Sequence, residues 1–296
     1  GDDVRQCDST GFTFAGSDFY RDSDTDPVAA VVFGKPSAGH LLRNLSHGIG
    51  TAADGEKYYT NSASQGDYHV STLSYLPDAG YMGQATIPVT YITAAGIETT
   101  GVIKISVSTK TDSAQFKDVT RSNVGTWAAD AVDFAYHFGL VSGVSKTEFA
   151  PNSPMTRAQL VTVLYRAAGS PSVTVSTNFE DLDVGSYYYS AVVWANVNGI
   201  VNGTSDTTFS PDSRLTRQQL AAILYRYARA FGGDTSYTGN LSHFTDRHQV
   251  DSYATTPMIW AVSHEIISGT SDTTLSPLST ATRAQVVVIL HRYLTD

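Results

Sequence analysis

Three stretches of the chain are versions of one another: PMTRAQLVTVLYR at 154–166, RLTRQQLAAILYR at 214–226 and TATRAQVVVILHR at 280–292. Self-similarity of this kind constrains the fold more than composition does, because each copy must be a supersecondary unit that buries its apolar face against its neighbours. Aligning on Arg157, Arg217 and Arg283 gives intervals of 60 and 66 residues, and other positions then fall into register. Phe116-Lys117-Asp118 meets Phe179-Glu180-Asp181 and Phe244-Thr245-Asp246. Trp127 meets Tyr187 and Tyr253, Phe134 meets Trp194 and Trp260, and Gly143 meets Gly203 and Gly269. Pro151, Pro211 and Pro277 each stand five residues before a threonine.

Each unit reads as helix, loop, helix. WAADAVDFAYHFG and YYYSAVVWANVNG carry apolar residues at helical spacing and end on Gly139 and Gly199, which close a helix with a left-handed residue. The third copy has Glu265 there, so its helix end is expected to be built differently. The loops that follow are rich in Ser, Thr, Asp and Pro and read as turns. Thr156, Thr216 and Thr282 then form capping boxes with Gln159, Gln219 and Gln285. Behind them Leu160, Val161, Val163 and Leu164 have counterparts in Leu220, Ala221, Ile223 and Leu224 and in Val286, Val287, Ile289 and Leu290, one buried stripe per helix. Phe134, Trp194 and Trp260 are expected in the core, and Tyr188 and Tyr189 at a surface or groove.

Arg157, Arg217 and Arg283 fall at the first helical position, where the macrodipole is positive and a cation costs roughly 0.3 to 1 kcal/mol. Arg166, Arg226 and Arg292 stand at the favourable end and need no functional explanation. For the first set two readings are open. A guanidinium beside exposed helix-start N–H groups makes an anion site for a carboxylate or phosphate. Alternatively it forms an internal salt bridge to Asp118, Asp181 or Asp246.

These units resemble S-layer homology (SLH) domains. The pieces that carry the resemblance are FKDV, FEDL and FTDR; GLVSG, GIVNG and EIISG; TEFAP, TTFSP and TTLSP; and TRAQ, TRQQ and TRAQ. The resemblance covers three full copies: 112–172, 173–233 and 234–296. It implies an all-α, pseudo-threefold trimer of helix-loop-helix repeats that holds a surface protein on a bacterial envelope by binding secondary cell wall polysaccharide, often pyruvylated, in grooves between repeats. A pyruvate ketal carries the carboxylate that Arg157, Arg217 and Arg283 would hold. Two departures stand out: Gln159, Gln219 and Gln285 replace the family's usual Glu, and its Asp-Gly turn appears as Asp206-Thr207, Asp272-Thr273 and Lys146-Thr147. Asp206 and Asp272 join the candidate polysaccharide site. So do Trp127, Tyr187 and Tyr253, whose flat faces suit a sugar ring and equally suit packing at a repeat junction.

Residues 1–111 differ in kind. ATIPVTYITAAGIETTGVIKISV alternates on both sides of a Gly-containing turn, with Ile87, Val89 and Tyr91 on one arm and Ile103, Ile105 and Val107 on the other, which predicts a β-hairpin with one buried face. VAAVVF, KYYT and YHVSTLSYL are further strands, so an all-β sandwich of about seven short strands is expected. The run from Ser74 to Val107 resembles bacterial cadherin-like or Ig-like modules. TKTDSAQ at 109–115 reads as the linker.

Composition excludes several classes. The net charge of -9 divides as 7 basic against 12 acidic residues up to Thr111 and 12 against 16 beyond it, so nucleic acid is not an expected partner. Cys7 stands alone, without a disulfide partner or thiolate cage. No apolar run is long enough for a membrane span. Asp22, Asp24 and Asp26 begin like an EF-hand loop, but Pro27 and Phe33 stand where Gly and Glu belong, so the stretch reads as a solvated acidic turn and no metal is expected. No cofactor motif or catalytic constellation is present, and an enzyme is not expected. The expectation is noncovalent anchoring at the cell surface through wall polysaccharide. The alternative is a structural S-layer or adhesin fragment whose repeats assemble with themselves or with other surface proteins, without glycan.

Overall fold

The computed structural model describes residues 4–19, 25–45, 48–61, 63–78, 80–108, 112–113 and 115–295. The chain divides into two compact units, Gly1–Phe138 and Gly139–Leu294. The first holds nine strands among its described residues: β1 Val4–Cys7, β2 Phe12–Thr13, β3 Val28–Phe33, β4 His40–Leu45, β5 Gly48–Thr51, β6 Glu56–Tyr59, β7 Leu73–Leu76, β8 Gly83–Thr93 and β9 Glu98–Val107. They form a five-stranded sheet in the order β1-β9-β8-β3-β6 and a four-stranded sheet in the order β2-β7-β4-β5.

The predicted hairpin is β8 and β9, paired Ile87 to Ile103 and Ala85 to Ile105. Its alternation puts Ile87, Val89, Ile105 and Val107 into a core shared with Phe33 and Tyr58 of the same sheet and with Leu41, Leu73 and Tyr75 of the other, while Tyr91 and Ile103 lie at that core's margin. VAAVVF is β3 and KYYT overlaps β6. YHVSTLSYL is only half strand: its first part turns through a short 3-10 segment at Val70–Thr72, where His69 Nδ1 accepts from the Ser71 N–H at 3.2 Å. A side chain that bonds its own backbone two residues on competes with the ladder.

The same unit contains helices α1 Arg121–Val124 and α2 Thr126–His137. Phe116 and Phe134 are buried there, as expected for Phe134, and the Gly80 N–H donates to Asp130 Oδ2 at 3.3 Å. The Trp127 side chain, Asp22 and Asp24, and linker residues 109–111 and 114 lie outside the described residues.

The second unit consists of α3 Arg157–Ala167, α4 Tyr189–Val197, α5 Arg217–Ala230, α6 Thr255–Ser263 and α7 Arg283–Thr295. The second helix of one repeat covers the first helix of the next. Tyr165 of α3 meets Trp194 of α4, and Tyr225 of α5 meets Trp260 of α6, each at 5.5 Å between ring centres. Both tryptophans are buried, as the stripe required, and so is Tyr188, where a surface or groove position was expected; it stands just before the start of α4 with its ring against Tyr187.

The end of α6 also corrects the sequence reading. Glu265 takes the same left-handed backbone, φ 57°, that Gly139 and Gly199 take at 69° and 71°. The third repeat therefore keeps the geometry and bears a Cβ strain of about 1 kcal/mol instead of changing it.

The repeats close on one another through their backbones. The Met155 N–H donates to Ala281 O at 3.0 Å, Ala281 to Leu215 O at 3.0 Å, and Leu215 to Met155 O at 2.8 Å. Among the described residues no helix is long and apolar enough to cross a membrane.

Candidate functional site

Each second helix starts at its arginine, behind a threonine that accepts from the N–H of the glutamine three residues on, at 3.1 Å for Thr156, 3.3 Å for Thr216 and 3.2 Å for Thr282. The other helix-start donors are also taken. Arg157, Arg217 and Arg283 donate their backbone N–H to Ser213, Ser279 and Ser153 O, and Ala158, Gln218 and Ala284 to Pro211, Pro277 and Pro151 O, at 2.8 to 3.0 Å. All these acceptors belong to the loop of the next repeat in the ring. The exposed N–H groups that would have completed an anion site are therefore absent here, because the neighbouring loop satisfies them.

The guanidinium groups follow the same route. Nε of Arg157, Arg217 and Arg283 donates to the carbonyl of Phe209, Leu275 and Phe149 at 2.9, 2.8 and 2.9 Å. Nη2 of Arg217 reaches Ser268 O at 2.6 Å and that of Arg283 reaches Ser142 O at 2.9 Å. Arg157 and Arg283 also lie over the Phe209 and Phe149 rings, at 4.8 and 4.4 Å. The three side chains are only 5%, 7% and 8% exposed. Backbone carbonyls thus offset the cost of a cation at a helix start.

Asp181 and Asp246 hold the loops that carry those carbonyls. Asp181 accepts from the Phe209 and Ser210 N–H groups at 2.8 and 2.7 Å, and Asp246 from those of Leu275 and Ser276 at 2.9 and 2.8 Å. Ser210 and Ser276 sit at φ 60° and 51°, left-handed and just before a proline, a conformation that needs such a clamp. The carboxylates touch Arg157 and Arg217 only through space. Burial lowers the pKa of both guanidiniums, and the charges of Asp181 and Asp246 work against that.

Two grooves open beside these contacts, built alike with a shift of one repeat. The larger, about 540 Å³, is lined by Arg157 of the first repeat, Gly203 and Arg226 of the second and Tyr253 of the third. The smaller, about 350 Å³, is lined by Arg283 of the third repeat, Gly143 and Arg166 of the first and Tyr187 of the second. Gly203 lies at φ 78°, and a Cβ there would come within 2.5 Å of Phe179 and of Thr208 O, so the groove wall requires glycine. Tyr187 and Tyr253 are 62% and 44% exposed, and each lines one of the grooves. Asp206 and Asp272 stand exposed in their loops, outside the lining of either groove. Arg217 lines neither of the two.

Each groove therefore combines two guanidiniums with one tyrosine. Arg166 and Arg226 are the members that sequence reasoning missed, since a cation at a helix C-terminus is already accounted for by the dipole. Their signal was present: an arginine stands at that place in all three copies while the residue before it changes from Tyr165 and Tyr225 to His291. Arg226 lies close enough to Arg157 to lower its pKa, a third effect after burial and the opposing influence of Tyr253.

Residues 115–161, 179–221 and 243–287 match the S-layer homology domain. The chain is 27% identical over 201 residues to the Surface-layer 125 kDa protein of Lysinibacillus sphaericus, which takes in 67% of this chain and 16% of that protein. It is 24% identical over 164 residues to the Cellulosome-anchoring protein of Acetivibrio thermocellus, 53% of this chain and 36% of that one. It is 25% identical over 165 residues to the Amylopullulanase of Thermoanaerobacterium thermosulfurigenes, 56% of this chain and 9% of that one. The similarity thus spans a minor part of each of these relatives. The chain carries three S-layer homology domains, and its location is the bacterial cell surface.

Proposed function

We propose that this chain fastens a surface protein to the cell envelope noncovalently, its SLH repeats gripping a secondary cell wall polysaccharide, pyruvylated or otherwise acidic, in the grooves of Arg157 and Arg283. The observation that carries the reading is the pairing of two guanidiniums and an exposed tyrosine in each groove, Arg157 and Arg226 with Tyr253 and Arg283 and Arg166 with Tyr187. That combination suits a ring with an apolar face and a carboxylate. Relatives named for tasks as different as a surface layer and an amylopullulanase share this stretch, which supports a role common to all of them and not a catalytic one.

In this reading the repeats, bounded at 112–172, 173–233 and 234–296, form a pseudo-threefold trimer, supported by the closed cycle of Met155, Leu215 and Ala281. Residues 1–111 form an Ig-like or cadherin-like spacer, supported by two sheets around one core. Trp127, in sequence register with Tyr187 and Tyr253, is assigned to the polysaccharide with them, and Asp206 and Asp272 to the outer reach of the polymer.

The test is sedimentation with purified wall sacculi before and after extraction of the secondary polymer. Co-sedimentation that disappears on extraction is expected. A second reading, protein-protein assembly without glycan, is favoured by one observation, that Arg157, Arg217 and Arg283 already spend Nε on carbonyls. Undiminished sedimentation with extracted sacculi would select it.

A further inference from the structure

The larger groove carries a polar pair that the smaller lacks. Gln218 is only 3% exposed, its Nε2 donates to Asp251 Oδ2 at 2.7 Å, and its Oε1 accepts from the Asp251 backbone N–H at 2.9 Å. Both residues line the groove of Arg157 and Arg226. In the register of the repeats, the place of Gln218 is held by Ala158 and Ala284. The place of Asp251, two residues before Tyr253, is held by Gly185 before Tyr187 and by Gly125 before Trp127. The amide and the carboxylate thus occur together in one groove and are replaced together in the other two registers.

The reciprocal bonds have a physical consequence. A buried amide tied on one side to a carboxylate and on the other to that residue's own backbone fixes where the carboxylate stands. Gln218 takes one oxygen, Oδ2, and the other is left to a ligand. A carboxylate beside two guanidiniums weakens the pull on a simple anion, so its placement favours a ligand that brings a donor to it. No carboxylate lines the smaller groove. Asp212 acts on Tyr187 from beyond that lining, in the register where the larger groove has Leu278.

We infer that the groove of Arg157 and Arg226 is a selective subsite for an acidic sugar bearing a hydroxyl donor near its carboxylate, with Asp251 as the acceptor and Gln218 as the residue that positions it. The groove of Arg166 and Arg283 takes the acid without that requirement. The inference rests on the glycan reading above.

The experiment titrates the full chain, labelled for amide NMR, with the methyl mannoside carrying a 4,6-O-pyruvate ketal and with its 2,3-di-O-methyl ether, which has no donor. The Gly203 amide reports the larger groove and the Gly143 amide the smaller. Methylation should weaken binding about tenfold at Gly203, the loss of a hydrogen bond to a charged acceptor, and change little at Gly143. Asp251→Asn should abolish that discrimination by weakening the diol and strengthening the ether, and Gln218→Ala should reduce it. A steric effect of the methyl groups would survive in Asp251→Asn. Equal discrimination in both grooves, or unchanged discrimination in Asp251→Asn, overturns the inference and leaves the glycan reading standing. Binding of neither probe in either groove overturns the glycan reading and the inference with it.

Discussion

Replacing Arg217 by Ala tests what the repeated arginine does in the fold. The side chain is 7% exposed and makes two charge-assisted bonds, to Leu275 O at 2.8 Å and Ser268 O at 2.6 Å, both in the third repeat. Bonds of this kind contribute about 1.5–3 kcal/mol each, and their loss leaves two carbonyls without the donor. Against that, removing the buried cation returns part of its desolvation cost and about 0.3–1 kcal/mol of unfavourable helix-dipole energy. The net loss comes to about 2–4 kcal/mol, a fall of roughly 5–10 °C in the melting midpoint for a unit of this size. Far-UV circular dichroism follows the helices directly. Arg226→Ala is the control: that side chain is half-buried in the groove, and its removal should lower wall binding with little change in melting. A midpoint for Arg217→Ala equal to or above the parent's would refute the reasoning, because the contacts would then carry no net stability.

Two further outcomes follow from single residues. Glu265→Gly removes a Cβ from a left-handed position at φ 57° and should stabilise the helical unit by about 1 kcal/mol, measured as a higher urea midpoint at constant slope. Burial pushes the pKa of Asp246 up, but the backbone N–H groups of Leu275 and Ser276 outweigh it and hold the carboxyl below its usual range. Its contribution is therefore complete above the unfolded carboxyl's pKa of about 4 and disappears as pH falls through the lower folded value. Asp246→Asn should melt lower than the parent at neutral pH and approach it in acid, and a difference that stays constant with pH would contradict the clamp.

Much of this was legible in the sequence because it depends on local order. The stripes of Leu160, Leu220 and Val286 place three helices, and the alternation through Ile87 and Ile105 places a hairpin, because burial of one face imposes a period that residues a few places apart reveal. The grooves were legible only in part. Arg157, Gly203, Arg226 and Tyr253 come from three different repeats, and spacing along the chain does not say that the start of one helix faces the loop of the next unit. In the sequence the helix-start N–H groups at Arg157 look open, since the carbonyls of Pro211 and Ser213 that occupy them lie beyond a whole helix. Glu265 misled in a simpler way: glycine is preferred in a left-handed helix end, but a sufficiently braced chain holds another residue there.

The cycle of contacts also sets a clock. The bonds from Arg283 to Phe149 O and Ser142 O join residues 134 and 141 positions apart, and Ala281 takes part in two of the three bonds of the cycle with Met155 and Leu215. Contacts of such separation form late, after the local helices, because the entropy of closing a long loop must be met first. While the chain is being made, α3 and α5 exist before α7 does, and the smaller groove lacks Arg283 until α7 arrives. The two grooves are thus completed at different moments: the larger is lined by residues no later than Leu278, whereas the smaller closes only when the last helix docks.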